Sequence, residues 1–252
     1  MTTRKRQYQN EGNAEKPTFD PLTIPEDGAA TITRIAVQRR DDSRRSIYLD
    51  GTFAFGVSDE VYLRFSLFRG HTITRAQAEA VLAEEEVVRC REKAGAILGL
   101  RRRSRRELER KLRDKGFSPE AIERTVKLME EYGHIDDTAY AKSYVHDRLL
   151  KRGVGRSRLQ QELRLKGVDA KLAAETATMA STDEEELDRA VAQAIRRNRT
   201  IRHDDPRKRE RSLTSFLAGR GFGWETIRRA LERLREVENT TDEPLETDDD
   251  RA

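Results

Sequence analysis

Apolar positions in the second half of this chain follow a pattern that occurs three times. Leucines stand four apart at Leu108 and Leu112, at Leu159 and Leu163, and at Leu213 and Leu217. A glycine comes eight positions after the first leucine of each pair, at Gly116, Gly167 and Gly221. An apolar residue follows each one: Phe117, Val168 and Phe222. Leucines at i and i+4 put one apolar stripe on a short helix. The glycine ends that helix, because the position past a C-terminus takes a left-handed backbone that costs glycine nothing. The glycines lie 51 and 54 residues apart. A period of about 50 marks a repeated supersecondary unit.

Each unit is expected to hold three helices. In the first they fall at about 93–101, 104–115 and 119–131. Ser104 and Glu107 have the spacing of a capping box. Ser118-Pro119-Glu120 is a strong helix start, and Ile122, Val126 and Met129 carry the stripe after it. In the second unit Asp136 or Asp137 caps a helix bearing Tyr140, Ala141, Tyr144, Val145 and Leu149. Helices at about 156–166 and 170–180 complete it, the last thinly apolar with Leu172, Ala173, Thr176 and Ala177. The third unit starts near Asp183, with a stripe at Leu187, Ala190, Val191, Ala194 and Ile195 and another at Ile227, Leu231 and Leu234.

Ahead of the units the period changes. Thr31 to Val37 alternates in a strand-like way, Ser46 to Leu49 reads as a second strand, and Thr52 to Val57 as a third. Asp50-Gly51 between the last two is a hairpin signal. A short helix carrying Val61, Tyr62 and Phe65 follows, broken at Arg69-Gly70, and Thr74 caps the next. That helix ends near Cys90 or continues to Leu100. The expected fold is mainly all-α, with three tandem three-helix repeats in an elongated array, a small antiparallel β-sheet before them and disordered termini. The expected segments are 1–29 (arm), 31–92 (sheet and helices), 93–135, 136–182 and 183–237 (repeats) and 238–252 (acidic tail).

Composition sharpens this picture. Only 35% of the 252 residues are hydrophobic and 38% are charged, which favours thin helical layers over one thick core. The net charge of +4 hides an asymmetry. Residues 1–30 hold four basic and five acidic residues, and residues 236–252 hold one and eight. The body from 31 to 235 therefore carries +12. A basic body points to a polyanionic partner, with the acidic tail competing for that surface or solubilising it. One cysteine, Cys90, excludes an internal disulfide and a cysteine-rich zinc site. No apolar run approaches a membrane span, and Met1 to Arg6 lacks an apolar h-region. The chain reads as cytosolic and monomeric, without a membrane partner.

Basic residues cluster where each middle helix begins. They are Arg101, Arg102, Arg103, Arg105, Arg106 and Lys111; then Lys151, Arg152, Arg156 and Arg158; then Arg207, Lys208, Arg209 and Arg211. One such cluster is as readily a solvated helix face. Three at the same place in three units would form a stripe, binding DNA with steep salt dependence and little sequence preference. Acidic protein surfaces would meet the same stripe. Tyr140, Tyr144 and Trp224 are candidate stacking residues, though helical spacing favours core packing for the tyrosines. Tyr132 to Asp137 holds His134, Asp136 and Asp137, read more simply as a helix start than as a metal site. Cys90 lies beside Arg89 and Arg91 but has no placed base. No phosphate-binding loop occurs, so no cofactor, metal or catalytic residue is assigned and the protein is read as a non-enzyme.

Three segments, SRRELERKLRDKGF at 104–117, EEYGHIDDTAYA at 130–141 and DPRKRERSLTSFLAGRGFGWETI at 205–227, resemble the RecX family of bacterial recombinase regulators. The resemblance covers roughly 93–235, and 31–70 resembles the N-terminal region of longer members. It implies an all-helical array of three three-helix repeats. It implies binding to the RecA–single-stranded DNA filament, along its helical groove, and inhibition of the recombinase, with consequences for homologous recombination, DNA repair and the SOS response. The thin middle repeat, the long arm and the acidic tail depart from the family pattern. Two other readings remain: a helix-turn-helix-type module that binds DNA, specifically or not, without a recombinase, and a metal-dependent DNA-processing enzyme.

Overall fold

The structure, a computed structural model, describes residues 20–151, 153–202 and 205–241. The chain divides into two compact units. The first ends at Lys93 and also takes in Pro119–Ala121; the second holds Ala94–Ser118 and the chain from Ile122 onward.

The first unit is built on a sheet of four antiparallel strands, not three: β1 (Ala29–Gln38), β2 (Asp41–Leu49), β3 (Thr52–Ser58) and β4 (Thr72–Thr74), in the order β3-β2-β1-β4. Three residues are too short for β4 to show a period, and only its pairing with Ala29 to Thr31 makes it a strand. Asp50 and Gly51 both take positive φ, 47° and 89°, so the β2–β3 turn is of the primed kind whose twist suits a hairpin. Ile32, Ile47, Leu49, Phe55 and Val57 face a core shared with Val61 of α1 (Asp59–Arg64) and Val81 and Val88 of α2 (Arg75–Leu100). Ile24 enters the same core. The described structure therefore begins before residue 29, with Ile24 buried in that core. Glu85 on α2 is buried, accepting from the Ser58 N–H at 2.7 Å and pairing with Arg44.

The second unit carries the repeats. α2 is continuous to Leu100 and has no break near Cys90. α3 (Arg105–Arg113) and α4 (Pro119–Glu131) follow. The second repeat is α5 (Asp137–Lys151), α6 (Arg156–Leu165) and α7 (Ala170–Met179); the third is α8 (Asp183–Asn198), α9 (Pro206–Gly219) and α10 (Trp224–Thr241). Helix α10 runs past residue 237, where disorder was expected to begin. The rest of the tail, residues 242–252, lies outside the described residues, as does the arm up to residue 19.

The leucine–glycine motif has one structural meaning in all three copies. Each glycine has φ between 82° and 87°. The N–H of the apolar residue after it bonds back to the carbonyl of the second leucine: Phe117 to Leu112, Val168 to Leu163, Phe222 to Leu217. This six-residue closure satisfies a terminal carbonyl that a helix end leaves open. Leu159, Leu163, Val168 and Ala173 then share one core, and Leu213, Leu217, Phe222 and Ile227 another.

Two of these turns also join repeats. A Cβ on Gly221 would sit 2.3 Å from the Arg158 backbone nitrogen and 2.4 Å from its Cβ. A Cβ on Gly155, the N-cap of α6, would sit 2.2 Å from the Gly221 carbonyl oxygen. A Cβ on Gly167 would meet Arg106 Cβ at 2.5 Å, whereas one on Gly116 meets nothing within 4 Å. The end of one middle helix is thus pressed onto the start of the middle helix before it. Gly116→Ala is expected to cost only the left-handed strain, about 1 kcal/mol. Gly221→Ala must also displace backbone and is expected to cost at least about 2 kcal/mol. Urea unfolding of the two variants checks the order; equal costs would mean that the close approach carries no energy.

Candidate nucleic-acid interface

The two joins between repeats are built from matching parts. At the first, the Ser104 hydroxyl donates to the Lys166 carbonyl, and the Arg105 N–H donates to Asp137 Oδ1 at 2.8 Å. At the second, the Gly155 N–H donates to the Arg220 carbonyl at 3.0 Å and the Ser157 N–H to the Gly221 carbonyl at 3.2 Å. The Arg156 N–H donates to Glu186 Oε1 at 2.8 Å. In both, a carboxylate from the first helix of the next repeat meets the first N–H of a middle helix, where the backbone dipoles favour negative charge. Burial pushes the Asp137 carboxyl above its usual range, and the Arg105 N–H pulls it partly back. Asp136, its neighbour, caps α5 by accepting from the Ala139 N–H.

Many of the basic residues singled out in the sequence are engaged with acids, most of them inside their own repeat and Arg156 across the second join. Arg105 bridges Glu109 and Glu130. Arg156 reaches Asp183, Glu186 and the Ser181 carbonyl. Arg101 and Arg103 hold Glu107 at 2.7 and 3.0 Å. That engages Glu107, so the expected capping box is only half formed: Ser104 accepts from the Glu107 N–H, but the Glu107 side chain turns to the arginines. Arg158 joins Arg148 and the Tyr144 hydroxyl on Glu162. Arg209 stands 3.7 Å from Glu238. Arg102, Arg106, Arg207, Lys208 and Arg211 are exposed and form no ion pair among the described residues, and half-buried Lys111 forms none. The Lys151 side chain and the whole of Arg152 lie outside the described residues. The members of the clusters therefore divide in their surroundings. Some of them hold acids of their own repeat, Arg156 holds acids of the next, and others face solvent.

Each join also opens a groove. The first, of about 430 Å³, is lined by Arg106, Glu107, Glu109, Arg110 and Arg113 of α3 and by Arg164, Leu165, Lys166 and Gly167. The second, of about 450 Å³, is lined by Arg148, Val154, Arg158, Phe216 and Arg220 among others. Sequence reasoning missed Arg110, Arg113, Arg164, Lys166 and Arg220. Two signals were available: the i, i+4, i+7 spacing of Arg106, Arg110 and Arg113, and the basic residue before each motif glycine, Lys115, Lys166 and Arg220. Of the candidate stacking residues, Tyr140 is buried against half-buried Tyr144, with ring centroids 6.3 Å apart. Trp224, at 71% exposure, projects from the start of α10.

The sequence matches family models described as the regulatory protein RecX N-terminal domain (residues 30–74) and the first (90–127), second (136–176) and third (183–231) RecX three-helix domains. The chain belongs to the RecX family. A regulatory protein RecX from Clostridium acetobutylicum is 27% identical over 207 residues, covering 81% of this chain and 96% of that protein. One from Bacillus licheniformis is 27% identical over 201 residues, covering 80% and 76%. A crystal structure of a regulatory protein RecX superposes with a TM-score of 0.68 at 27% identity, covering 82% of this chain and 99% of the other. RecX from Lactobacillus salivarius, at 24% identity and a TM-score of 0.57, shares the fold. Cys90 is buried, and among the described residues no group of three or more His, Cys, Asp or Glu could hold a metal ion. Nor is any described helix of this RecX-family chain long and apolar enough to cross a membrane.

Glu162 gives the repeat-2 charge network a pH signature. Burial alone would raise its carboxyl, but hydrogen bonds from Arg148, Arg158 and Tyr144 outweigh this and hold it below the ordinary value of 4.5. A depressed carboxylate contributes stability that is complete above the unfolded-state value and is lost as pH falls through the folded one. Glu162→Gln is expected to cost about 2 kcal/mol at neutral pH. The gap to wild type should close below about pH 4.5. Urea unfolding across pH measures it; a gap unchanged down to pH 3 (roughly the acid limit of such a titration) would contradict the assignment.

Proposed function

We propose that this protein binds the RecA–single-stranded DNA filament and restrains the recombinase, modulating recombination, repair and the SOS response. The observation that carries the reading is the recurrence of one three-helix unit with exposed, unpaired basic residues at its middle helix: Arg102 and Arg106 in the first repeat, Arg207, Lys208 and Arg211 in the third. A filament is a polymer of identical sites, and a tandem array suits it. Once one repeat is engaged, the next binds at an effective concentration set by its short connection, so weak contacts multiply. Such bridging blocks filament growth and access of duplex DNA. At the joins the backbone of Arg105, Arg156 and Arg158 serves this indirectly, the first two donating to Asp137 and Glu186 of the next repeat and the third lying against Gly221. Membership in a family of regulatory proteins supports the reading.

The test uses recombinase, single-stranded DNA and ATP, reading DNA-dependent ATP hydrolysis and co-sedimentation. Wild-type protein is expected to pellet with filaments and to lower the hydrolysis rate. The variant Arg207→Ala/Lys208→Ala/Arg211→Ala touches no described ion pair. At about 0.5 kcal/mol per exposed contact it should need about tenfold more protein for half inhibition. Full hydrolysis and no co-sedimentation with wild-type protein would sink the reading. Sequence-specific duplex binding without recombinase would favour the helix-turn-helix alternative.

A further inference from the structure

We infer that the groove between α3 and the end of α6 is a phosphodiester site, the place where the array meets the DNA strand rather than the protein of the filament. The inference rests on the filament reading and assigns one component of it. Five cations line the groove: Arg106, Arg110, Arg113, Arg164 and Lys166. None forms an ion pair among the described residues. The two acids in the lining are already neutralised from outside it. Glu107 is held by Arg101 and Arg103, and Glu109 by Arg105. Nearby Asp169 turns its carboxylate to the Leu172 and Lys171 N–H groups at the start of α7, and these, with a smaller part from the charge of Arg106, hold it below its usual range. The local charge is thus strongly and selectively positive.

Shape and spacing favour a nucleic-acid strand over an acidic protein patch. Arg106, Arg110 and Arg113 lie on one face of α3, spread over about 10 Å at 1.5 Å per residue. That is an evenly spaced row, suited to a polymer with one charge per repeat. Guanidinium forks bind phosphate oxygens in pairs. A protein partner would need buried aromatic or aliphatic anchors to bind well, and the lining offers only Leu165. The lining also has no aromatic ring and no Asn or Gln to read a base edge, so binding is independent of sequence. The second groove differs. Arg148 and Arg158 are committed to Glu162, and Arg220 lies over the Phe216 ring at 4.6 Å and donates to the Gly153 carbonyl. Two joins of one design therefore leave one anion site, between the first and second repeats.

Fluorescence anisotropy of a labelled oligothymidylate, titrated with full-length protein over a range of salt and without recombinase, tests this. Losing three contacts to a single strand should make the slope of log K against log[salt] shallower by about 2. Arg106→Ala/Arg110→Ala/Arg113→Ala is expected to show that change and at least about tenfold weaker binding at low salt. Arg228→Ala/Arg233→Ala/Arg235→Ala removes the same net charge from ion-paired positions on α10 and is expected to keep the wild-type slope. The triple lysine variant at 106, 110 and 113 should recover the slope, and circular dichroism checks that all variants are folded. An alanine variant with the wild-type slope, or wild-type protein that does not bind the oligonucleotide at low salt, overturns the site. ATPase inhibition is measured separately, so a failure here is distinct from a failure of the filament reading.

Discussion

The arrangement of the repeats depends on how closely two pieces of backbone approach. At the second join Gly221 lies where any side chain would overlap Arg158, and Gly155 lies where any side chain would overlap Gly221. Neither is a matter of conformational freedom alone. Gly155 has an ordinary extended φ of −84° and is glycine because of what stands opposite it. Contact this close lets the Gly155 and Ser157 N–H groups reach carbonyls of the next repeat. Helix starts carry unsatisfied N–H groups, and here the following repeat satisfies them. One turn motif therefore ends a helix, seals a core and caps a neighbour.

Charge divides along the same lines. With over a third of its residues charged, the chain cannot build thick hydrophobic layers and places ion pairs within and between its repeats instead. Exposed pairs such as Arg228 with Glu225 and Glu232 contribute little each. Of the half-buried ones, Arg105 with Glu130 ties α3 to α4 inside the first repeat, and Arg156 with Glu186 crosses the second join. Their arginines are then committed. The surface left for a partner is what remains once the joins have taken their share, and it is uneven from repeat to repeat.

Much of this was legible in the sequence. The leucine pairs, the three glycines and the apolar residue after each gave the middle helices and their ends. Asp50-Gly51 gave the hairpin. Strand β4 was not legible, since a three-residue strand is defined by its partner. Nor was the burial of Ile24, in a proline-rich stretch whose few apolar residues show no period. The candidate site was legible in kind only. Sequence places arginines near a helix start but not the acids that reach them from 20 to 30 residues away, as Glu130 reaches Arg105 and Glu186 reaches Arg156. The groove residues Arg164 and Lys166 lie on the far side of a join and belong to another helix altogether.

Hydrogen exchange of the backbone amides at the second join tests most directly the claim that turn-to-helix contact fixes one repeat against the next. If it does, the Gly155 and Ser157 N–H groups, bonded only across that join, exchange as slowly as that of Leu163 inside its helix, through opening of the whole structure. Free exchange at these two amides, with Leu163 still protected, would mean that the repeats are separately folded and only loosely apposed.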